Sequence, residues 1–195
     1  MPPLWNDLIS VLPTSHPPLS PLPTIGSAAP LPPKLGLQAY SEDTLIAFVR
    51  HCGCPFAESE VKQLAKVANE DASLKIVIVT MSDETAAREW FAAVGGDFDD
   101  PSRVSLIADP SRELYAAFGV GTLPWSGLFG TAMLGPLSEL ASKGIKNRAT
   151  APGSARWQNS ATFAVAKGGE VKWVHVAEHA GDMSDMEAAA RSLKL

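Results

Sequence analysis

The sequence predicts an α/β domain with a mixed central sheet and helices on both faces. Apolar runs typical of buried strands alternate with helical patterns over residues 44–119, and a hairpin pattern followed by a helix closes the chain. Strands separated by helices favour parallel pairing through right-handed crossovers. The closing hairpin, with Gly168-Gly169 in its turn, has to be antiparallel.

Each element has its own signal. The run at 44–49 is almost continuously apolar, which suits a strand buried on both faces. Pro55 begins the next helix, because proline is tolerated in a first turn. Ser82 and Ser184 are the expected caps of two later helices. The strands are expected at 44–49, 74–80, 104–108, 162–166 and 171–176. The helices are expected from Pro55, from Ser82 to about 94, from Asp109 to near Gly119, at 136–143 and after Ser184.

A composition change divides the chain. Residues 1–36 hold 10 of the 16 prolines and form a predicted proline-rich arm, whereas residues 37–195 form the folded domain. Leu4, Leu8 and Val11 keep helical spacing within the arm, which predicts a short docked helix. The arm either packs on its own domain or binds a partner or a second subunit.

Size and charge exclude several functional classes. A chain of 195 residues with a formal net charge of −5 has no basic character for nucleic acid or an anionic membrane. Its apolar runs are shorter than the roughly 18–20 residues that span a bilayer. The N-terminus lacks a secretory pattern, so a cytoplasmic location is expected. The glycine-rich tract 119–127 lacks the ending of a phosphate loop, and no cofactor is predicted.

The strongest functional signal is a pair of cysteines at a strand-to-helix turn. Cys52 and Cys54 are the only cysteines, and they follow Arg50 and His51 directly. A helix N-terminus stabilises a thiolate, and Arg50 could add positive potential. His51 is a candidate proton acceptor. The residues alone leave open whether Cys54 is reactive or an inert buried thiol. Together with Cys52 and His51 it could also hold a soft metal, but the spacing is too compact for an ordinary zinc site and no metal is predicted.

Four segments carry a resemblance to a known family. They are 24–32, Phe48-Val49-Arg50-His51 with Gly53-Cys54-Pro55-Phe56, the Asp-Pro-helix-Gly segment 108–119, and Thr162-Phe163 with Gly168-Gly169 and the final helix. In this order and spacing they resemble the peroxiredoxin-like branch of the thioredoxin superfamily, of AhpC/TSA type and similar to the peroxiredoxin-like 2 group. The resemblance implies a thioredoxin-like fold and a thiol-dependent oxidoreductase.

The resemblance also assigns roles to the cysteines. Cys54 matches the family's nucleophilic cysteine, so it would attack a peroxide or a disulfide. Ala57 replaces the second cysteine of the family motif, so the usual disulfide cannot form. Cys52 instead occupies the variable position of the motif, where the family does not normally have a cysteine. It would either resolve oxidised Cys54 or pack inward as a small apolar residue. The family's threonine is replaced by His51 and its later arginine by Ser160.

A substrate pocket and partners complete the expectations. The candidate pocket residues are Pro55, Phe56, Trp125, Phe129 and Thr162. The implied partners are a small-molecule substrate (a peroxide, a disulfide or an apolar metabolite) and an external thiol reductant, with a homodimer as a further option. Two other functions stay open: a diverged enzyme acting on a small organic metabolite, and a non-catalytic binding protein that uses the arm.

Overall fold

The computed structural model describes residues 3–12, 17–95, 97–124, 127 and 134–195, with side chains from Asn6 onward. The strands are β1 (Thr44–Phe48), β2 (Lys75–Thr80), β3 (Val104–Ala108), β4 (Ala161–Val165) and β5 (Val171–Val176). The helices are α1 (Pro3–Ser10), α2 (Pro55–Glu70), α3 (Glu84–Val94), α4 (Glu113–Ala117), α5 (Leu134–Ser142) and α6 (Met186–Ser192), with 3-10 turns at Pro33–Leu35 and Pro101–Arg103.

The five strands form one mixed sheet in the order β3-β2-β1-β4-β5. Strand β1 pairs in parallel with β2, which pairs in parallel with β3. On its other side β1 pairs with β4 in antiparallel fashion, and β4 pairs likewise with β5. The predicted fold class and strand directions are therefore confirmed. The carboxyl ends of β1, β2 and β3 meet at one edge, where ligands bind in open α/β sheets.

Strand β1 lies at the centre of the sheet and is buried along its whole length. Its side chains alternate between two cores, as the period of a strand requires. Leu45 and Ala47 pack on one face with residues of α2, α3 and α6. Phe48 packs on the other face, where its ring lies 5.1 Å from that of Tyr115 and 4.9 Å from that of Phe118. Helices thus cover both faces.

Two helix caps differ from the sequence-based expectation by one residue. The N-cap of α3 is Asp83, whose carboxylate accepts a hydrogen bond from the Ala86 amide. The N-cap of α6 is likewise Asp185, not Ser184. Ser82 is fully buried instead. A carboxylate at a helix N-terminus gains from the helix dipole as well as from the hydrogen bond, which explains the preference.

The arm from residue 17 onward lies on the domain. The amides of Gly26 and Ala29 donate to the carbonyls of Val171 and Gly169 beside β5, each at 2.8 Å. Leu35 is 1% exposed and belongs to the same core cluster as Phe48. The arm therefore contributes to the second core. Across the described ranges, none of the helices is both long and apolar enough to cross a membrane.

Tyr115 joins the two strand ends that support the cysteine turn. Its buried hydroxyl lies 2.6 Å from the carbonyl oxygen of Val49 and 3.0 Å from that of Val79. We expect Tyr115→Phe to lower the free energy of unfolding by about 1–2 kcal/mol, because the Val49 carbonyl loses a buried hydroxyl donor. Urea denaturation measures this change.

Tyr40→Phe is the matched control, because the Tyr40 hydroxyl binds the Pro30 carbonyl, away from the cysteine turn. The Tyr115 variant should also speed the alkylation of Cys52 and Cys54, whereas the control should not. Equal alkylation rates in the two variants would contradict the supporting role of Tyr115.

Candidate active site

The cysteine turn connects β1 to α2 and is folded tightly. The amide of Cys54 donates to the carbonyl of His51 at 3.0 Å, which closes the turn. Gly53 has a φ of +103°, and a Cβ atom there would lie 2.7 Å from the carbonyl oxygen of Ala149. Only glycine tolerates both conditions. The residue between the two cysteines is thus fixed by the close approach of another backbone segment.

Cys54 is the N-cap residue of α2 and is 4% exposed. Its side chain makes no capping hydrogen bond. Pro55 has no amide hydrogen, so Phe56 and Ala57 supply the first-turn donors that lack acceptors within the helix. These amides and the helix dipole favour negative charge on a sulfur at the cap. The position thus suits a thiolate nucleophile.

Glu58 lies one turn into α2, but its charge is compensated. Its buried carboxylate accepts hydrogen bonds from Lys62 at 2.9 Å and from Arg148 at 2.9 Å. Burial alone would raise the pKa of Glu58, but the hydrogen bonds from Arg148 and Lys62 lower it overall. The negative charge that would oppose a thiolate at Cys54 is therefore balanced by two cations.

Cys52 is more deeply buried than Cys54, at 1% exposure, and both thiols are free. Its sulfur lies 3.4 Å from the Thr80 hydroxyl at the end of β2. Burial raises the pKa of the Cys52 thiol. Cys52 is thus held in its neutral form, which distinguishes it chemically from a thiol at a helix N-terminus.

Arg50 is a buried cation behind the turn. Its guanidinium donates to the carbonyls of Arg156 at 2.6 Å and Ala180 at 3.4 Å. The buried carboxylate of Glu60 on α2 interacts with this cation and accepts a hydrogen bond from the Ser184 amide. Burial nevertheless raises the pKa of Glu60 to about 7. Arg50 therefore ties the turn to the loops before β4 and after β5.

His51 is also buried and is held in a defined orientation. Its Nδ1 lies 3.2 Å from the carbonyl oxygen of Cys52, so Nδ1 carries the proton. Burial, together with the nearby Arg50 cation, lowers the pKa of His51 to about 3. The imidazole is thus neutral and weakly basic at physiological pH. It orients the turn rather than serving as a strong proton acceptor.

Helix α1 and the loop 148–157 cover this side of the turn. Asp7 accepts hydrogen bonds from Thr150 and from Arg156, the latter at 2.6 Å. The Trp157 indole donates to the carbonyl of Val11 at 2.7 Å. The loop backbone in turn donates from the Arg148 amide to the Gly53 carbonyl at 3.0 Å. The N-terminal helix therefore packs on the loop that encloses the cysteines.

A cleft of about 460 Å³ lies beside Cys52, between α3 and residues 148–152. Trp90 and Ala93 line it from α3, and Arg148 lines it from the loop. Trp90 is 6% exposed, and within the described chain its indole N–H has no hydrogen-bond partner. The cleft reaches Cys52.

Three of the predicted pocket residues can be compared with this cleft. Pro55 and Phe56 are buried in the first turn of α2, and Thr162 is buried in β4. None of the three lines the cleft. Trp125 and Phe129 fall outside the described residues. Among the described residues, no three His, Cys, Asp or Glu side chains are grouped as metal ligands.

Comparisons with known proteins identify the family. The sequence profile described as AhpC/TSA antioxidant enzyme matches residues 59–179, which is more than half of the chain. The chain belongs to this family. It is a thiol-dependent oxidoreductase of peroxiredoxin type, as the sequence predicted. No curated protein sequence matches it.

Solved structures with the same fold cover most of this AhpC/TSA chain. The peroxiredoxin-like protein from Aquifex aeolicus has a TM-score of 0.60 at 16% identity, covering 90% of this chain and 89% of its own. Peroxidoxin BcpB from Mycobacterium tuberculosis has a TM-score of 0.57 at 15% identity, covering 88% and 97%. The thiol peroxidase from Chromobacterium violaceum has a TM-score of 0.56 at 12% identity, covering 92% and 91%. The thioredoxin-like fold is thereby confirmed.

Several site residues of this AhpC/TSA protein had no signal in the sequence. Glu60 and Trp90 belong to ordinary helical patterns, and Arg148 lies in a tract without regular structure. Asp7 lies in the arm, 140 or more positions before its partners Thr150 and Arg156. Long-range packing brings these residues together, and a single sequence does not encode such proximity in any local pattern.

The buried carboxyl group of Glu60, which lies near Arg50, predicts that stability depends on pH. Its carboxyl has an ordinary pKa of 4.5 when unfolded but about 7 in the folded protein. Between these values the folded state binds more protons, so the folded state loses stability as pH rises. We expect Glu60→Gln to be more stable than the wild type by on the order of 3 kcal/mol near pH 8, with the difference vanishing near pH 4.5.

Urea denaturation across this pH range measures the effect. Glu70→Gln is the control, because Glu70 is exposed near the end of the same helix. It should change stability little at any pH. A constant difference between Glu60→Gln and the wild type across the range would refute the assigned ionisation.

Proposed function

We propose that Cys54 is the nucleophile of this peroxiredoxin-type enzyme and that it reduces hydroperoxides. The observation that carries the proposal is a free thiol at the N-cap of α2, beside first-turn amides without intrahelical acceptors. The family profile begins at Ser59, C-terminal to both cysteines. The assignment of Cys54 is therefore supported by its geometry and by the motif resemblance around it.

The chemistry at Cys54 is a nucleophilic displacement on oxygen. The thiolate attacks the terminal oxygen of the hydroperoxide, the O–O bond breaks, and the alkoxide leaves as an alcohol with the proton from the thiol. Cys54 becomes a sulfenic acid. The amides of Phe56 and Ala57 and the helix dipole favour the negative charge in this step.

Cys52 is the proposed resolving thiol. Its sulfur attacks the sulfenic sulfur of Cys54, a disulfide bond forms, and the hydroxyl takes up the Cys52 thiol proton and leaves as water. To reach Cys54, Cys52 has to give up its contact with the Thr80 hydroxyl. Arg50 and His51 are proposed as positioning residues, because they bind the backbone around the turn.

The partners and setting follow from this chemistry. The proposed substrate is a hydroperoxide, and an external thiol regenerates the enzyme. Two free thiols fit a reducing compartment such as the cytoplasm. A homodimer is proposed because the arm exposes several large apolar side chains, which often mark an interaction surface. They are Leu8, Ile9, Leu12, Leu19, Leu22, Ile25 and Leu31.

Replacing each cysteine in turn should have a different effect on peroxide consumption. Cys54→Ser should abolish peroxide consumption, because no thiolate remains at the helix N-terminus. Cys52→Ser should keep one turnover but stop at the sulfenic acid, because nothing resolves it. Stopped-flow consumption of hydrogen peroxide and mass spectrometry with a dimedone trap distinguish these outcomes.

Both variants need a folding control, which near-ultraviolet circular dichroism supplies. Peroxide consumption that survives in folded Cys54→Ser would overturn the proposal. It would favour a metabolic enzyme that uses the fold for other chemistry. Thiols that do not react with peroxide in either protein would favour a binding protein.

A further inference from the structure

The cleft beside Cys52 is not used by the peroxide step at Cys54. It is lined by Cys52 and by residues of α3 and of the loop 148–152, whereas Cys54 does not line it. A volume of about 460 Å³ is within the usual range for a small-molecule site. Hydrogen peroxide is much smaller than this space. The cleft therefore suits a second, larger molecule that reacts at Cys52.

We propose that this cleft binds a low-molecular-weight amino-acid or small-peptide thiol, which regenerates the enzyme by attacking Cys52. The inference rests on the proposed function, since it requires a disulfide between Cys52 and Cys54. It adds the chemical class of the reductant and the sulfur that the reductant attacks.

The burial of Cys52 limits how large a reductant can be and still reach its sulfur. Cys52 is 1% exposed and is enclosed by the backbone of residues 148–151, which binds the carbonyls of Gly53 and Cys52. A folded protein dithiol needs its partner sulfur at the surface. A small thiol can instead enter the cleft. The walls suit it, because Ala93, Pro152 and the Trp90 ring are apolar.

The polar groups of the cleft decide the chemistry of the reductant. Arg148 and Glu89 place one positive and one negative charge on its lining. Arg148 binds Glu58 through Nε and Nη2, which leaves its Nη1 edge for a ligand. A ligand with a carboxylate and an ammonium group can pair with Arg148 and Glu89.

The exchange balances in two steps. The first thiolate attacks the Cys52 sulfur, the Cys52–Cys54 bond breaks, and Cys54 leaves as a thiolate at the helix N-terminus. A second thiolate attacks the sulfur of the bound thiol, which releases a small symmetrical disulfide and Cys52. Each cysteine takes up the proton of one reductant. Attack at Cys52 is the favoured direction, because the leaving thiolate is then stabilised by the helix.

The first test blocks the cleft. Ala93 and Ala92 are adjacent exposed alanines of α3, but only Ala93 lines the cleft. The protein is first oxidised with one equivalent of hydrogen peroxide. Glutathione or L-cysteine is then added, and the rate at which the Cys52–Cys54 disulfide is lost is measured by mass spectrometry. We expect Ala93→Phe to slow reduction by about tenfold or more, and Ala92→Phe to match the wild type. Equal rates in both variants would overturn the proposal.

The second test varies the reductant. With rates expressed per thiolate, L-cysteine and glutathione should exceed 2-mercaptoethanol and cysteamine by about tenfold. Arg148→Gln should reduce the ratio of the L-cysteine rate to the cysteamine rate. Faster reduction by the protein dithiol thioredoxin than by glutathione at equal concentration would overturn the assignment.

A third measurement separates this inference from the proposed function. In Cys54→Ser, glutathione disulfide should form a mixed disulfide with Cys52, and Ala93→Phe should slow it, with no peroxide involved. If this adduct forms but peroxide produces no Cys52–Cys54 disulfide, the proposed function fails and the cleft assignment survives. If the disulfide forms and Ala93→Phe changes neither reaction, only the cleft assignment fails.

Discussion

The contact between the Gly53 backbone and the backbone of residues 148–149 organises the candidate active site. It needs a glycine, because a side chain would meet the Ala149 carbonyl. It encloses the two thiols and brings Arg148 to the carboxylate of Glu58. It also forms one wall of the cleft beside Cys52. Charge balance, burial and access at the cysteines therefore all depend on one close approach between distant segments.

The two cysteines differ because their surroundings differ, although a single residue separates them. Cys54 lies at a helix N-terminus where negative charge is favoured. Cys52 lies against Thr80 in a buried setting that raises its thiol pKa. The turn that carries both cysteines follows the C-terminal end of the central strand β1. It therefore lies between the start of α2 and the end of the neighbouring strand β2. One turn thus holds two thiols in different chemical environments.

The two basic side chains before the cysteines bind backbone carbonyl groups. Arg50 binds backbone carbonyls of two loops, and His51 binds the carbonyl of Cys52. Burial keeps the imidazole neutral, with a pKa of about 3, so its charge state is constant at physiological pH.

The sequence by itself determined the fold class, the strand directions and the placement of Cys54 at the start of a helix. Periodicity, helix-start signals and turn residues are local patterns, so a single sequence records them. It placed two caps one residue early, since Ser82 and Asp83 are both good caps and only the folded backbone decides between them. The tertiary structure alone decided that the cleft opens on Cys52 and that Trp90 and Arg148 line it. These residues meet only through packing of segments far apart in the chain, and no local pattern in a single sequence records such a meeting.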